Sequence, residues 1–217
     1  MWWDMAPERR REFEDWHTHE HFPERLGIPG FLRSSRWTSD DGTQGVFVLY
    51  ELRNHAVLSS PGYLERLNSP TPWSTRLMPH HRNMVRSQNE VLESRGAAIA
   101  RTAVTLRLSP SDGREDKLRA GLKALIDEAF SQPGLSGAHL LRHRAPPIAT
   151  TTEQMIRGGA DGVADWTLMV CAYDAKALEA FAGVTLADSA LQRLGARSNA
   201  ARGTYTLASS ATPSDVT

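Results

Sequence analysis

The chain has 217 residues, of which 25 are basic and 25 acidic, and hydrophobic residues make up 40% of it. Balanced charge argues against nucleic acid as a partner, because phosphate binding needs a surplus of Lys and Arg on one face. The hydrophobic content is enough for a folded core, and the length permits one large domain or two small ones.

The sequence gives no sign of a membrane or secreted protein. No run approaches the ~18 apolar residues of a membrane span, and the N-terminus has no basic segment followed by an apolar one. The single cysteine, Cys171, allows no intrachain disulfide and lies in the strand-like run WTLMVCAYD, where we expect a small buried side chain. We therefore expect a cytoplasmic protein without membrane or nucleic-acid partners.

The first half of the chain predicts the order β-α-β-β-α-β. MWWDM is a short strand, and a helix from Pro7 to about Phe22 is ended by Pro23 and GIPG. GFLRSSRWTS and GVFVLYEL are strands joined by the turn SDDGTQG. SPGYLERLNSPTPWSTRLM is one helix or two short ones, and PHHRNMVRSQ is the last strand. This order is that of a ferredoxin-like unit.

The second half repeats the order with little residue identity. GLSGAHLLRHRAP matches GIPGFLRSSRWTS, and ADWTLMVCAYD matches GVFVLYELRN. The break falls near LESRGAA, so we expect one repeat in residues 1–95 and a divergent one in residues 96–217. Residues 145–164 form a long polar loop, which is typical of a lid or a disordered segment.

The strands predict how the two repeats pack. Runs such as VFVL are apolar at every position, which favours cover on both faces of a sheet. We expect an α+β fold in which the two antiparallel sheets pack face to face as an intrachain α+β barrel. Such a barrel encloses a pocket for a small, mostly apolar ligand.

The segments DWHTHEHFPERLGIPGFLRSSRW, FVLYEL and SPGYLERLNSPTPWSTRLMPHHRN resemble the dimeric α+β barrel superfamily, and within it the EthD-like branch. The resemblance covers residues 2–87, and the second half is similar only in topology. Members of the superfamily include cofactor-free monooxygenases, polyketide cyclases, muconolactone-type isomerases and haem-binding proteins, so the fold implies no single reaction. The acidic-His-x-Pro element of the branch corresponds to Glu20-His21-Phe22-Pro23, and the resemblance thus implies a functional role for His21.

Three histidines lie close together in the first helix. His17 and His21 are four residues apart and share a helix face, whereas His19 points to nearly the opposite side and is expected to face water. One interpretation is proton transfer or hydrogen bonding by His21 at the mouth of the pocket. The other is a metal site, because an i, i+4 pair of histidines is a workable ligand spacing.

A metal site would need further ligands, for which Glu20, Glu24, His80 and His81 are the candidates. His80 and His81 lie on a predicted strand and should face opposite sides of it, so one of them can point into the pocket. The helix of the second half that corresponds to the first helix has no histidine, which predicts one active pocket per chain. His139 and His143 lie on the second strand of that half.

Other candidate site residues come from the predicted strands and the second helix. Asp4 follows the first strand and could orient a histidine or act as a base. Arg36 could clamp a carboxylate or a phenolate. The candidates for substrate binding are Trp3, Arg36, Tyr50, Trp73 and Arg82.

Three functions are compatible with these residues. The first is a cofactor-independent isomerase, cyclase, lyase or monooxygenase that acts on a small aromatic or polyketide-like compound, with His21 as general acid or base. The second is a metal- or haem-dependent enzyme that uses His17 and His21 with His80 or His81. The third is a non-catalytic protein that binds a small ligand. A monomer and a homodimer are both compatible with two fused repeats.

Overall fold

The computed structural model describes residues 1–43, 45–158 and 161–216, which fold into two compact units. Unit 1 comprises Met1–Gln88, Arg144–Val163 and Ala208–Thr217, and unit 2 comprises Asn89–His143 and Ala164–Leu207. The division into sequence repeats at residue 95 stays a prediction. The bounds of the compact units differ from those of the predicted repeats, because unit 1 includes the 144–163 segment and the C-terminal tail.

The elements follow in chain order. The first part holds β1 (Trp2–Met5), α1 (Arg10–Trp16), α2 (Phe22–Leu26), β2 (Phe31–Ser39), β3 (Gly45–Leu52), α3 (Pro61–Asn68), α4 (Pro72–Leu77) and β4 (His81–Val85). Then come β5 (Asn89–Gly96), β6 (Thr102–Leu108), α5 (Glu115–Ser131), β7 (Leu135–His143), α6 (Thr152–Ile156), β8 (Trp166–Ala172), α7 (Ala175–Thr185), α8 (Asp188–Leu194) and β9 (Ala201–Ala211). Short 3-10 turns cover Pro7–Arg9, His55–Ser59, Met78–His80 and Pro213–Asp215.

Both units have the same strand order. In unit 1 it is β4-β1-β3-β2, and in unit 2 it is β9-β6-β8-β7, followed by β5 at the edge. The strand pairs within each unit are antiparallel. If the strands of each βαββαβ series are counted one to four, both orders are 4-1-3-2. The predicted α+β class with two ferredoxin-like repeats is thus confirmed.

Strand β5 differs from the prediction, which placed the break between the repeats there. Its residues, NEVLESRG, pair with β7 from Asn89↔His143 to Gly96↔Gly137. The strand is rich in charge and its apolar Val91 is exposed. Charged residues are common on edge strands, where they oppose further strand pairing, and they hide the alternating pattern by which strands are recognised.

The first helix also differs from the prediction. The chain does not leave the helical conformation at Pro23, because a π-helical turn at His17–His21 joins α1 to α2. The Phe22 amide donates to the carbonyl of His17, five residues earlier. A proline inside a helix has no amide to donate and its ring crowds the carbonyl four residues before it. The wider turn directly before Pro23 lets the helix pass this point.

The two halves share one backbone device, a left-handed glycine directly before a strand. Gly30 precedes β2 with φ +102°, and Gly134 precedes β7 with φ +93°. The Gly30 carbonyl accepts from the amide of Arg53 (2.8 Å) and the Gly134 carbonyl from that of Tyr173 (3.0 Å), each just after the neighbouring strand. In the structure Gly30 therefore corresponds to Gly134. The sequence match of GIPG with GLSG instead predicts that Gly27 corresponds to Gly134, a difference of three residues.

Each unit has its own hydrophobic core. In unit 1 it forms between one side of the sheet and helices α1 to α4, and its largest fully buried members include Phe13, Trp16, Phe22 and Leu77. In unit 2 it includes Leu106, Leu118, Leu122 and Ile126. No helix in the described ranges is long and apolar enough to span a membrane.

The left-handed glycine gives a test of the fold. A Cβ at Gly30 would lie 2.5 Å from Cγ2 of Val57, whereas a Cβ at Gly42, also left-handed (φ +75°), would meet nothing within 4 Å. We expect Gly30→Ala to lower the free energy of unfolding by about 2–3 kcal/mol and Gly42→Ala by about 1 kcal/mol or less. Urea unfolding of both variants measures this, and equal losses would contradict the described packing.

Candidate functional site

The candidate site lies in unit 1, between the sheet and the first helix. The register pairs Met5 with His81, and it pairs Arg36 with Val48 and Ser34 with Tyr50. Residues paired across antiparallel strands share a side of the sheet, and alternation puts Trp3 on the side of Met5. The side chains that this side contributes to the site are Trp3, Ser34, Arg36, Tyr50 and His81.

The helical side contributes a stack of rings. His17 and His21 are buried, and their rings stack with centroids 5.4 Å apart. Trp16 stacks on His21 at 4.5 Å, and Phe22 lies 4.2 Å from His17. The π-helical turn thus holds both histidines in the protein interior, whereas His19 in the same turn is exposed, as expected.

His81 joins this cluster from the sheet. Its ring centroid lies 5.0 Å from that of Trp3 and 6.1 Å from that of Trp16. Trp3 in turn lies 6.3 Å from His17. We call His17, His21 and His81 the histidine cluster.

The three histidines are held in the neutral form. Burial is the main cause that lowers the pKa of each: His17 and His21 fall well below their usual value, and His81 falls to about 3. The charges that contribute most after burial are those of Arg36 for His17, Arg25 for His21 and Arg157 for His81.

The ring nitrogens of the cluster lack partners. The Nδ1 atoms of His17 and His21 and both nitrogens of His81 are buried without a hydrogen bond from the described residues. The nearest carboxylate oxygen to His21 Nδ1 is Oε2 of Glu24, at 3.7 Å. Buried polar atoms are nearly always paired, so unpaired atoms of this kind are accounted for by a bound water or ligand, or by a catalytic role.

A buried ion-pair network adjoins His21. Arg25 of α2 pairs with Glu153 of α6 and lies 3.5 Å from Oε2 of Glu24. Arg157 lies 3.8 Å from Oε2 of Glu153 and 3.1 Å from Oδ2 of Asp161. The 144–163 segment thus supplies counter-charges to the site, a role that the prediction of a lid or a disordered loop does not include.

The sequence carried a signal for this segment. Thr151 caps α6: its hydroxyl accepts from the Gln154 amide, and the Gln154 side chain accepts from the Thr151 amide. Thr-x-x-Gln is the pattern of a capping box, which predicts the start of a helix. The pairing of Glu153 with Arg25 has no sequence signal, because the two residues are far apart in the chain.

Glu20 has a structural role. Its Oε1 accepts from Trp16 Nε1 (3.0 Å), from the Thr71 hydroxyl and from the Ser74 hydroxyl (3.4 Å). These bonds tie α4 to the first helix. Because its carboxylate accepts these hydrogen bonds, Glu20 is not free to act as the metal ligand that the sequence suggested.

Several predicted site residues do not join the cluster. His80 lies in the 3-10 turn Met78–His80, so the prediction that it alternates with His81 on a strand is wrong. Asp4 accepts a hydrogen bond from Asn83 Nδ2 (2.8 Å) and pairs with the exposed Arg82, on the other side of β1 from Trp3.

The remaining candidates are placed as follows. Trp73 packs against the unit 1 core, and its Nε1 is buried without a hydrogen bond. His139 and His143 lie in unit 2, where His139 Nδ1 shares a 2.8 Å hydrogen bond with Ser94. Within the described residues, no group of three or more His, Cys, Asp or Glu side chains is arranged to hold a metal. The ligand set of His17 and His21 with His80 or His81 is therefore not assembled.

Comparisons with known proteins define the fold. No family model matches the chain, and no curated protein matches it. An anthrone oxidase-like protein is similar to it in structure, with a TM-score of 0.67 and 14% identity over 100% of this chain and 92% of that chain. A putative monooxygenase from Fusobacterium nucleatum has a TM-score of 0.63 and 8% identity, over 97% of this chain and 91% of that chain. A putative monooxygenase from Lactobacillus acidophilus has a TM-score of 0.59 and 11% identity, over 98% of this chain and 93% of that chain. At these identities the likeness shows the ferredoxin-like α+β barrel fold and not the activity.

The neutral histidines predict how stability depends on pH. Below their usual pKa of 6.5 the unfolded chain takes up protons that the folded cluster does not, so the free energy of unfolding falls as the pH falls. Each histidine contributes about 1.4 kcal/mol per pH unit below that value, until its folded pKa is reached. We expect the urea midpoint to fall from pH 7 to pH 5, less steeply in His81→Phe and as in the native protein in His19→Asn. A midpoint that does not change with pH would contradict the burial of the cluster.

The ion-pair network gives a second test. We expect Glu153→Gln to lower the free energy of unfolding by about 3–5 kcal/mol, because it leaves Arg25 buried without its main partner. The double variant Arg25→Met/Glu153→Leu should recover most of this loss. Arg33→Gln, which breaks the more exposed Arg33–Glu51 pair, should cost less than about 1 kcal/mol. Equal losses of unfolding free energy in Glu153→Gln and Arg33→Gln would show that the buried network contributes no more to stability than an exposed ion pair.

Proposed function

We propose that the protein is a small-molecule enzyme that removes a proton from an aromatic or polyketide-like compound, with His21 as general acid or base. The observation that carries the proposal is the histidine cluster, in which His17 and His21 are buried and His81 is partly buried, with unpaired ring nitrogens and with tryptophan and phenylalanine around them. A neutral imidazole can accept a proton, and aromatic walls suit a flat, apolar ligand. The acidic-His-x-Pro element of the EthD-like branch, at His21, supports the same residue.

The surroundings of the cluster favour a base that works on a bound acid. Burial is the main cause that lowers the pKa of His21, and the positive charges of Arg25 and Arg157 lower it further. Proton transfer from a neutral substrate creates an imidazolium and a substrate anion together, so the net charge of the site does not change. The anion offsets the repulsion from the arginines and raises the basicity of His21.

The similarity to an anthrone oxidase-like protein suggests a reaction of this type. The methylene of an anthrone lies between two aromatic rings and opposite a carbonyl, so loss of a proton gives a delocalised enolate. Dioxygen oxidises such an enolate: anthrone and O₂ give the anthraquinone and water, which balances oxygen and hydrogen without another reductant. We propose that His21 takes the methylene proton and that the reaction needs no organic cofactor.

Turnover of anthrone tests the proposal. We expect the purified protein to raise the rate of anthraquinone formation and of O₂ uptake above the uncatalysed rate. His21→Asn should lower kcat by about 10²-fold or more, the usual contribution of general acid–base catalysis, while the exposed His19→Asn should keep native activity. Full turnover by a folded His21→Asn variant would refute the role of His21, and binding of anthrone without turnover would instead indicate a ligand-binding protein.

The pH profile gives an independent check. Because burial and nearby arginines hold the pKa of His21 well below 6.5, the base is already deprotonated in the free protein above that pH. We expect kcat/KM to be level between pH 6.5 and 8 and to fall only at lower pH. An acidic limb centred at or above pH 6.5 would indicate that a more exposed group is the base.

A further inference from the structure

Three side chains with buried polar atoms lie on the same side of the sheet as His81. Ser34 and Arg36 on β2 and Tyr50 on β3 share the helix-covered side of the unit 1 sheet. Ser34 is fully buried and Arg36 is 6% exposed. Ser34 Oγ, Arg36 Nε and the Tyr50 hydroxyl are buried without a hydrogen bond from the described residues.

Arg36 is fixed in orientation. Its Nη1 donates to the carbonyl of Glu14 (3.0 Å) and to the hydroxyl of Thr18 (3.2 Å). Its guanidinium lies 5.7 Å from the centroid of the Phe13 ring, at cation–π distance. With one end of the guanidinium held in this way, the unpaired Nε–H has a fixed direction and needs no reorganisation to bind a ligand.

Arg36 forms no ion pair within the described part of the chain, and the charges of Glu14 and Asp15 favour its charged form from beyond ion-pair contact. Arg25, also buried, pairs with Glu153, whereas the ion pairs of unit 1 do not include Arg36. Burial lowers the pKa of Arg36, but a guanidinium keeps its proton in proteins. A buried cation without an ion-pair partner is unfavourable, and here two unpaired hydroxyls lie on the same side of the sheet.

The hydroxyls complete a set of donors. Burial raises the pKa of Tyr50, so its phenol stays protonated and can donate. Ser34 can donate as well, and Arg36 Nε can only donate. The rings of Phe22 and Phe31 lie 5.9 and 5.7 Å from that of Tyr50 and give the set an apolar border.

We infer that Ser34, Arg36 and Tyr50 form an anion-binding subsite for an ionised oxygen carried by an aromatic ligand. The inference rests on the proposed function for its location and narrows the substrate class to aromatic compounds that present a carboxylate, phenolate or enolate oxygen. Arg36 supplies the charge, and the two hydroxyls supply directional hydrogen bonds. An enolate formed by proton transfer to the histidine cluster would have its negative oxygen stabilised at this subsite.

Binding of matched pairs of probes tests the subsite without turnover. 2-Naphthoate and 2-naphthamide have the same ring and differ in charge, as do 4-nitrophenol, ionised at pH 8, and 4-nitroanisole. We expect calorimetry at pH 8 to show at least tenfold tighter binding of the anion in one pair. Preference in the naphthoate pair alone identifies a carboxylate site and preference in the nitrophenol pair alone a phenolate site; both support the inference. No preference in either pair overturns it.

Variants assign the preference to the residues. Arg36→Met should reduce the preference for the anionic probe to less than twofold. Tyr50→Phe and Ser34→Ala should each lower the affinity for the anionic probe several-fold, with little effect on the affinity for the neutral probe. Arg33→Met, which removes a half-exposed arginine of the same strand, should keep the native preference. If Arg36→Met does not fold, the two single-hydroxyl variants decide: native anion binding in both would overturn the subsite.

The histidine variant separates the two proposals. His21→Asn should retain the anion preference, because the subsite does not include His21. Retained binding with normal turnover would refute the proposed base and leave the subsite standing. Loss of the anion preference in Arg36→Met, together with loss of turnover in His21→Asn, would support both.

Discussion

The candidate site depends on how the first helix accommodates a proline. Pro23 lacks an amide and crowds the carbonyl four residues before it, so a regular helix could not continue through this point without loss. The π-helical turn at His17–His21 resolves the conflict inside the helix. As a result, one continuous helical segment presents Phe13, His17 and His21 to the sheet before the turn into β2. π-Helical turns are frequent at functional sites, and this one carries two members of the histidine cluster.

The electrostatics of unit 1 separate into two parts. Around Arg25 the charges are compensated by Glu24, Glu153 and the other members of the network, which gives rigidity. Around Arg36 and the histidine cluster, several polar atoms of the described residues are buried without a hydrogen bond, and burial keeps the histidine rings neutral. Unpaired buried groups lower the stability of the free protein. They also form a preorganised polar environment, which can stabilise a charge that appears on binding or during a reaction.

The sequence was informative where a local pattern determined the structure. Dense β-type runs and helix caps gave the order of elements, and with it the 4-1-3-2 topology of both repeats. Helical spacing put His17 and His21 together and His19 outside, which the structure bears out. His80 was misplaced because strand alternation was applied to a residue that lies in a 3-10 turn before β4. Asp4 was placed after the first strand, whereas it lies within β1 on the side away from Trp3. Glu153 could not be found, since its contact with Arg25 joins residues 128 positions apart.

The discontinuity of unit 1 has a consequence for the order in which the protein can form during synthesis. Its N-terminal segment leaves the ribosome first, yet Glu153 and the tail that follows β9 belong to the same unit and are made much later. Domains generally fold as units while the chain is made, and contacts of long sequence separation form slowly. Arg25 and the histidine-bearing helix therefore remain without their ionic partner until the 144–163 segment has been made. A nascent chain interrupted before the 144–163 segment would thus carry these histidines without the ion-pair network that adjoins them.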